Sequence, residues 1–169
     1  MKIDFQTIQI AVIFVFFIAI AWLLAEFKGM KDEIKERLGI NNETIKLQLQ
    51  AYERLALYAE RASLKNLVSR LTTSGITASQ LQADLLETLR TEYEYNVSQQ
   101  IYVSPELWKA INKLKDQNSY IINQLASTLS AGSSGMDLSR VILEYSMTKN
   151  AELNQIILEA IRFESKKLL

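Results

Sequence analysis

At 169 residues the chain has room for one anchor and one compact domain, and nineteen basic residues balance nineteen acidic ones, which argues against a nucleic-acid binder. With no Cys and no His it lacks disulfides, thiolate chemistry, Ser-His pairs and the usual transition-metal ligands, so no cofactor or metal centre is expected. One Pro and five Gly in a chain rich in Leu, Ala, Glu, Lys and Gln point to an all-α protein.

The chain opens with twenty-one uncharged residues between Asp4 and Glu26, and none from Ile10 to Ala25 is polar. As a helix this run is about 31 Å long, close to the ~30 Å hydrocarbon core of a bilayer. The expectation is a transmembrane anchor over 1–28. A cleaved signal peptide is the alternative, with Ala19-Ile20-Ala21 as its cleavage pattern. Against it, the n-region pairs Lys2 with Asp4, and the apolar run continues through Trp22 to Ala25. Trp22 fits an interfacial position, and Lys28, Lys31, Lys35 and Arg37 outnumber Lys2 on the other side. The positive-inside rule then places the C-terminal domain in the cytoplasm. Lys28, Lys31 and Lys35 share one side and lie where anionic headgroups would be, although a solvated flank explains them as well. Ala21, Ala25 and Gly29 form a small-xxx-small ladder, a pattern that helix pairs use and that also arises by chance.

Residues 29–41 read as a charged stalk, ended by Gly39 and Asn41-Asn42, with a helical domain over 42–169. Ile45, Leu49, Tyr52, Leu55, Ala59 and Ala62 make a one-face stripe. Ser63 reads as the N-cap of a short helix carrying Leu64, Leu67, Val68 and Leu71. After a loop, Thr77 and Gln80 form a capping box that opens a long helix. Its stripe (Leu81, Leu85, Leu89, Tyr93, Val97, Ile101) advances about 40° per i+4 step, so the helix bends or different neighbours cover its ends. Ser104-Pro105 caps the next helix, whose regular stripe from Leu107 to Leu129 is interrupted by Asn118. That amide suits a buried register-setting role or a locally exposed turn. Ser127–Gly135 reads as a flexible loop. Two helices follow, the first with Leu138, Val141, Ile142 and Tyr145, the second capped by Asn150 with Leu153, Ile156, Ile157, Ala160 and Ile161. Five to six helices after the anchor make a bundle, and no repeat period is evident.

Chemistry is sparse. The densest polar cluster runs from Thr91 to Tyr102, where helical spacing groups Glu92 with Tyr95, and Tyr95 with Gln99 and Tyr102. Such a face could bind a partner or a polar ligand, or be a solvated tyrosine-bordered surface. Glu87, Glu92 and Glu94 do not share a face, so carboxylate-only metal binding is disfavoured. Gln50-Ala-Tyr-Glu-Arg54, Asn66-Leu-Val68 and the motif from Glu92 to Ser104 with Trp108 resemble an uncharacterised family of single-span membrane proteins from Bacteroidota. That family often carries Pro after the position of Ser63, where this chain has Leu64. The resemblance implies a bacterial inner membrane and no mechanism. The sequence therefore supports a non-catalytic, membrane-anchored adaptor with the bilayer and a protein partner or second copy as its contacts. An enzymatic or ligand-binding domain using Glu92, Tyr95 and Gln99, and a periplasmic helical protein, are the alternatives.

Overall fold

The computed structural model describes residues 5–147 and 151–168, with side chains described for 14–147 and 153–168. It contains six α-helices among the described residues: α1 (Phe5–Ala62), α2 (Leu64–Leu71), α3 (Ala78–Asn96), α4 (Pro105–Ser127), α5 (Gly135–Tyr145) and α6 (Ala151–Lys166). A 3₁₀ turn, Val97–Ile101, follows α3. The chain divides into two compact units, Met1–Ile45 and Lys46–Leu169.

Helix α1 runs through Gly39 and Asn41-Asn42, where the sequence suggested a stop. A mid-helix Gly costs only about 1 kcal/mol, and no proline follows to enforce a break. Arg37 pairs with Glu33 at 2.7 Å in the turn before that stretch, and the Thr44 hydroxyl donates to the Ile40 carbonyl across Asn41-Asn42. Among the described residues no helix is long and apolar enough to cross a membrane. Side chains of residues 5–13, which open the uncharged run, lie outside the described set.

The second unit has one core. Leu55, Leu64, Leu67, Leu81, Leu85, Leu89, Ile111, Leu114, Ile122 and Leu138 are fully buried in it. Helix α3 packs on α2, α4 and α5, while α4 also meets α6. Leu47 and Leu57, the off-stripe residues of α1, are exposed; Ala51 and Tyr58 supply its second buried face instead.

Helix α1 ends at Ala62 without a proline, because its last carbonyls find other partners. Asn154 Nδ2 donates to Ala59 O at 2.6 Å, and Asn66 Nδ2 to Glu60 O at 2.8 Å. Arg70 Nη2 donates to Arg61 O at 2.9 Å, and Asn118 Nδ2 to Ala62 O at 2.7 Å. Asn118 is fully buried, which removes the exposed-turn reading of this position. Ser63 is the N-cap of α2, accepting from Asn66 N.

The loops before α3 and α5 are built alike. Gly75 and Gly132 both have positive φ (86° and 92°), which a Cβ would disfavour. Two residues later Thr77 and Ser134 cap their helices, each in a capping box, with Gln80 and Asp137 as the reciprocal partners. The buried Leu81 and Leu138 follow. The Ser134 hydroxyl and backbone N–H hold the Asp137 carboxyl below the usual carboxylate range. An antiparallel bridge joins Thr77 to Ser134, with Ala78 N donating to Ser133 O and Gly135 N to Ile76 O. The segment expected to be a flexible loop is thus pinned at its C-terminal end. No sequence period marks this repeat because only the loop chemistry recurs, with Gly, a hydroxyl cap, an acceptor and Leu in register. Neither loop brings carboxylates ahead of its cap, as a helix–loop–helix calcium site requires.

Candidate functional site

The polar cluster that stood out in the sequence does not form one surface. Helix α3 ends at Asn96, and the following 3₁₀ turn changes the angular step, so α-helical spacing no longer relates Tyr95 to Gln99 and Tyr102. Gln99 is 6% exposed and donates to the Ser98 hydroxyl, while Tyr95 is 72% exposed. Tyr102 is half-buried. The stripe drift explains the exchange. Leu81, Leu85 and Leu89 are sealed, Tyr93 is half-buried, and Val97 and Ile101 rotate out to 39% and 73% exposure. Asn96 and Gln99 take the buried positions they vacate.

Glu92 and Tyr95 do share a concavity of about 380 Å³, together with Arg61, Glu87, Thr88 and Thr91. Two guanidiniums meet the Glu92 carboxylate: Arg61 Nη1 at 3.3 Å and Arg70 Nη1 at 3.4 Å. Because Arg70 also caps α1, Glu92 ties the ends of α1 and α2 to α3. Arg54 donates to the Tyr95 carbonyl at 3.0 Å and stacks over its ring at 4.7 Å. The result is a rim of arginines around an exposed tyrosine. It suits recognition of a polar or acidic protein surface. It lacks a nucleophile–base pair, and Gln99 is withdrawn from it, so the sequence's proposed ligand triad is not assembled.

Two further constellations were invisible in local spacing. Tyr93 stacks on Trp108 (5.6 Å, 28°), meets Tyr58 edge-on at 6.3 Å, and lies under Lys115 at 4.5 Å. Tyr93 also donates to Asn112 Oδ1 at 2.6 Å. Glu164 accepts from both the Tyr52 and Ser104 hydroxyls, joining α1, the N-cap of α4 and α6. Burial first, then the hydrogen bond to Glu164 and its charge, pushes the Tyr52 phenol up to about 12. These are ties between elements far apart in sequence, and no spacing rule could have found them. Another concavity, of about 630 Å³, lies among Ser63, Asn66, Asn154 and Arg162. Among the described residues no cluster of three or more acidic side chains could hold a metal ion.

In the first unit, Trp22, Lys28, Lys31 and Lys35 are exposed, as are Ala21, Ala25 and Gly29. Nothing lies within contact distance of a Cβ placed on Gly29. No curated protein and no solved structure matches the chain. A family model described as a family of unknown function, DUF7935, matches residues 2–168. The chain belongs to that family.

Proposed function

We propose that this protein is a single-span, membrane-anchored adaptor of a bacterial inner membrane, its helical bundle cytoplasmic and its role the holding of a protein partner. The observation that carries the reading is the run of residues 5–25, uncharged and long enough as a helix for the hydrocarbon core. From Phe14 to Phe27 the large apolar side chains, apart from the half-buried Ile20, are exposed all round the helix, a pattern that water does not favour and lipid does. Lys28, Lys31 and Lys35 follow at headgroup height and give the cytoplasmic orientation. The Arg54–Tyr95 stack and the Arg61–Glu92 concavity are the surface offered to the partner.

Carbonate extraction of native membranes, with protease added to spheroplasts, tests this directly. The chain is expected in the membrane pellet, with its bundle cleaved only after lysis. Release by carbonate sinks the anchor, and cleavage in intact spheroplasts reverses the topology. Crosslinking in those membranes, followed by mass spectrometry, tests the adaptor role. Adducts to another protein that weaken in Tyr95→Ala support it, and a Tyr95→Ala chain with unchanged adducts moves the partner surface elsewhere.

A further inference from the structure

We infer that residues 27–45 of α1 are a pairing surface for a second copy of this chain, docked in parallel. Phe27, Met30, Ile34, Leu38, Asn41 and Ile45 are separated by 3, 4, 4, 3 and 4 residues. That is 18 residues in five steps, the α-helical period itself, so the seam runs straight along one side of the helix without drifting. Phe27, Met30, Ile34 and Leu38 are 62, 46, 58 and 57% exposed, Ile45 is half-buried, and off the seam Ile40 is the one other large apolar side chain of a mainly charged and polar segment. A stalk needed only as a spacer would have no use for such a line.

The charges on either side say what covers it. Taking about 100° per residue, Lys31, Lys35 and Lys28 lie on one flank of the seam and Glu26 and Glu33 on the other. Arg37, on the acidic flank, is tied to Glu33 at 2.7 Å and the two offset each other, so Glu26 is the carboxylate that flank offers a partner's lysines. When two identical helices pair in parallel, the left flank of one meets the right flank of the other, so carboxylates face lysines on both sides. In an antiparallel pair each flank meets its own kind and like charges collide. Charge thus selects a parallel second copy. Asn41 supports the same choice, since a parallel pair places two amides at one level and each can donate to the other. The ladder Ala21, Ala25, Gly29 lies roughly opposite the seam, so the two cannot both serve one straight interface. The pairing takes from the anchored reading only the gathering of copies in one plane; the charge argument holds without it.

Because the chain contains no Cys, each introduced thiol is the only one present. Single substitutions Met30→Cys, Ile34→Cys, Leu38→Cys and Ile45→Cys in the full chain, oxidised in native membranes, test the surface. Same-residue disulfides demand Cβ atoms about 4 Å apart, so each is expected to give at least about five-fold more dimer than Asp32→Cys, Glu36→Cys or Ala25→Cys. Dimer from only one central position would indicate antiparallel pairing and overturn the proposal. Equal yields on both faces, no dimer, or adducts of a mass other than twice the chain would also overturn it. Carbonate extraction of the same samples keeps the readings apart: a released chain whose seam cysteines still pair refutes the anchor alone.

Discussion

Leu38 and Leu55 belong to the same helix, yet the first is more than half exposed and the second is sealed in a core. Between Phe14 and Ile40, α1 displays apolar side chains to its surroundings; after Lys46 it buries Ala51, Leu55, Tyr58, Ala59 and Ala62. The backbone is helical throughout, so local propensity does not separate the two regions. What separates them is where the side chains and end carbonyls find partners. In the second region the partners come from α2, α4 and α6 within one chain. For the first, the pairing inferred above takes them from a second copy of the chain.

The contrast is broken most directly by truncating one leucine in each region. Leu55→Ala removes a fully buried side chain and is expected to cost about 3 kcal/mol, by transfer and cavity terms together. Leu38→Ala is expected to change bundle stability by less than about 0.5 kcal/mol. Denaturant titration of the full chain in detergent, followed by near-ultraviolet circular dichroism of the Tyr93–Trp108 stack, reads both. Equal losses would mean that the seam is part of the folded bundle.

Asn118→Leu comes next. It deletes the amide that caps the Ala62 carbonyl inside the core, leaving a buried acceptor unpaired at a cost of about 2 kcal/mol. The same change at Asn41 leaves the bundle's stability within about 0.5 kcal/mol, because the Asn41 side chain is exposed. If Asn118→Leu were neutral, the capping account of how α1 ends would be wrong.

These two asparagines also show what was legible in the sequence. Each interrupts an apolar stripe, and nothing local distinguishes them. The caps at Ser63, Thr77 and Ser104 were readable because a cap and its helix are neighbours in sequence. The leucine stripes were readable for the same reason. The fates of Gly39 and of Val97–Ile101 were not. Gly39 stays helical because no tertiary or proline constraint stops it. Val97 and Ile101 leave the core because the stripe drifts and a 3₁₀ turn replaces the helix. At the candidate site, Glu92 and Tyr95 were found by spacing, whereas Arg61 and Arg70 reach Glu92 from 31 and 22 residues away.

Glycine sharpens the comparison at a smaller scale. Gly132→Ala forces a Cβ into a positive-φ turn and is expected to cost about 1–2 kcal/mol, read by the same titration. Gly39→Ala, mid-helix with open space around it, is expected to raise α1 helicity and to leave the bundle untouched. Far-ultraviolet circular dichroism registers that gain, and a loss of helicity would show that Gly39 is a hinge.

The smallest effect concerns how the buried half of α1 responds to alkali. Tyr52 has its phenol pushed from 10.0 up to about 12, because burial and the Glu164 carboxylate both disfavour the phenolate. A folded value above the unfolded one means that the fold favours the protonated phenol. The stabilisation is therefore whole below pH about 10 and fades as pH rises from 10 toward 12. Tyr58 shifts in the same direction, chiefly by burial, and its hydroxyl has no hydrogen-bond partner among the described residues. Removing that hydroxyl in Tyr58→Phe therefore loses no bond, and is expected to be neutral or to stabilise by up to about 1 kcal/mol at pH 7. Tyr52→Phe loses its bond to Glu164 and weakens the fold at pH 7, but flattens the loss between pH 10 and 12. An alkaline slope unchanged in Tyr52→Phe would mean that the Tyr52 phenol is neither buried nor tied to Glu164 in solution, leaving the Asn154–Ala59 bond and apolar contact to hold α6 on α1.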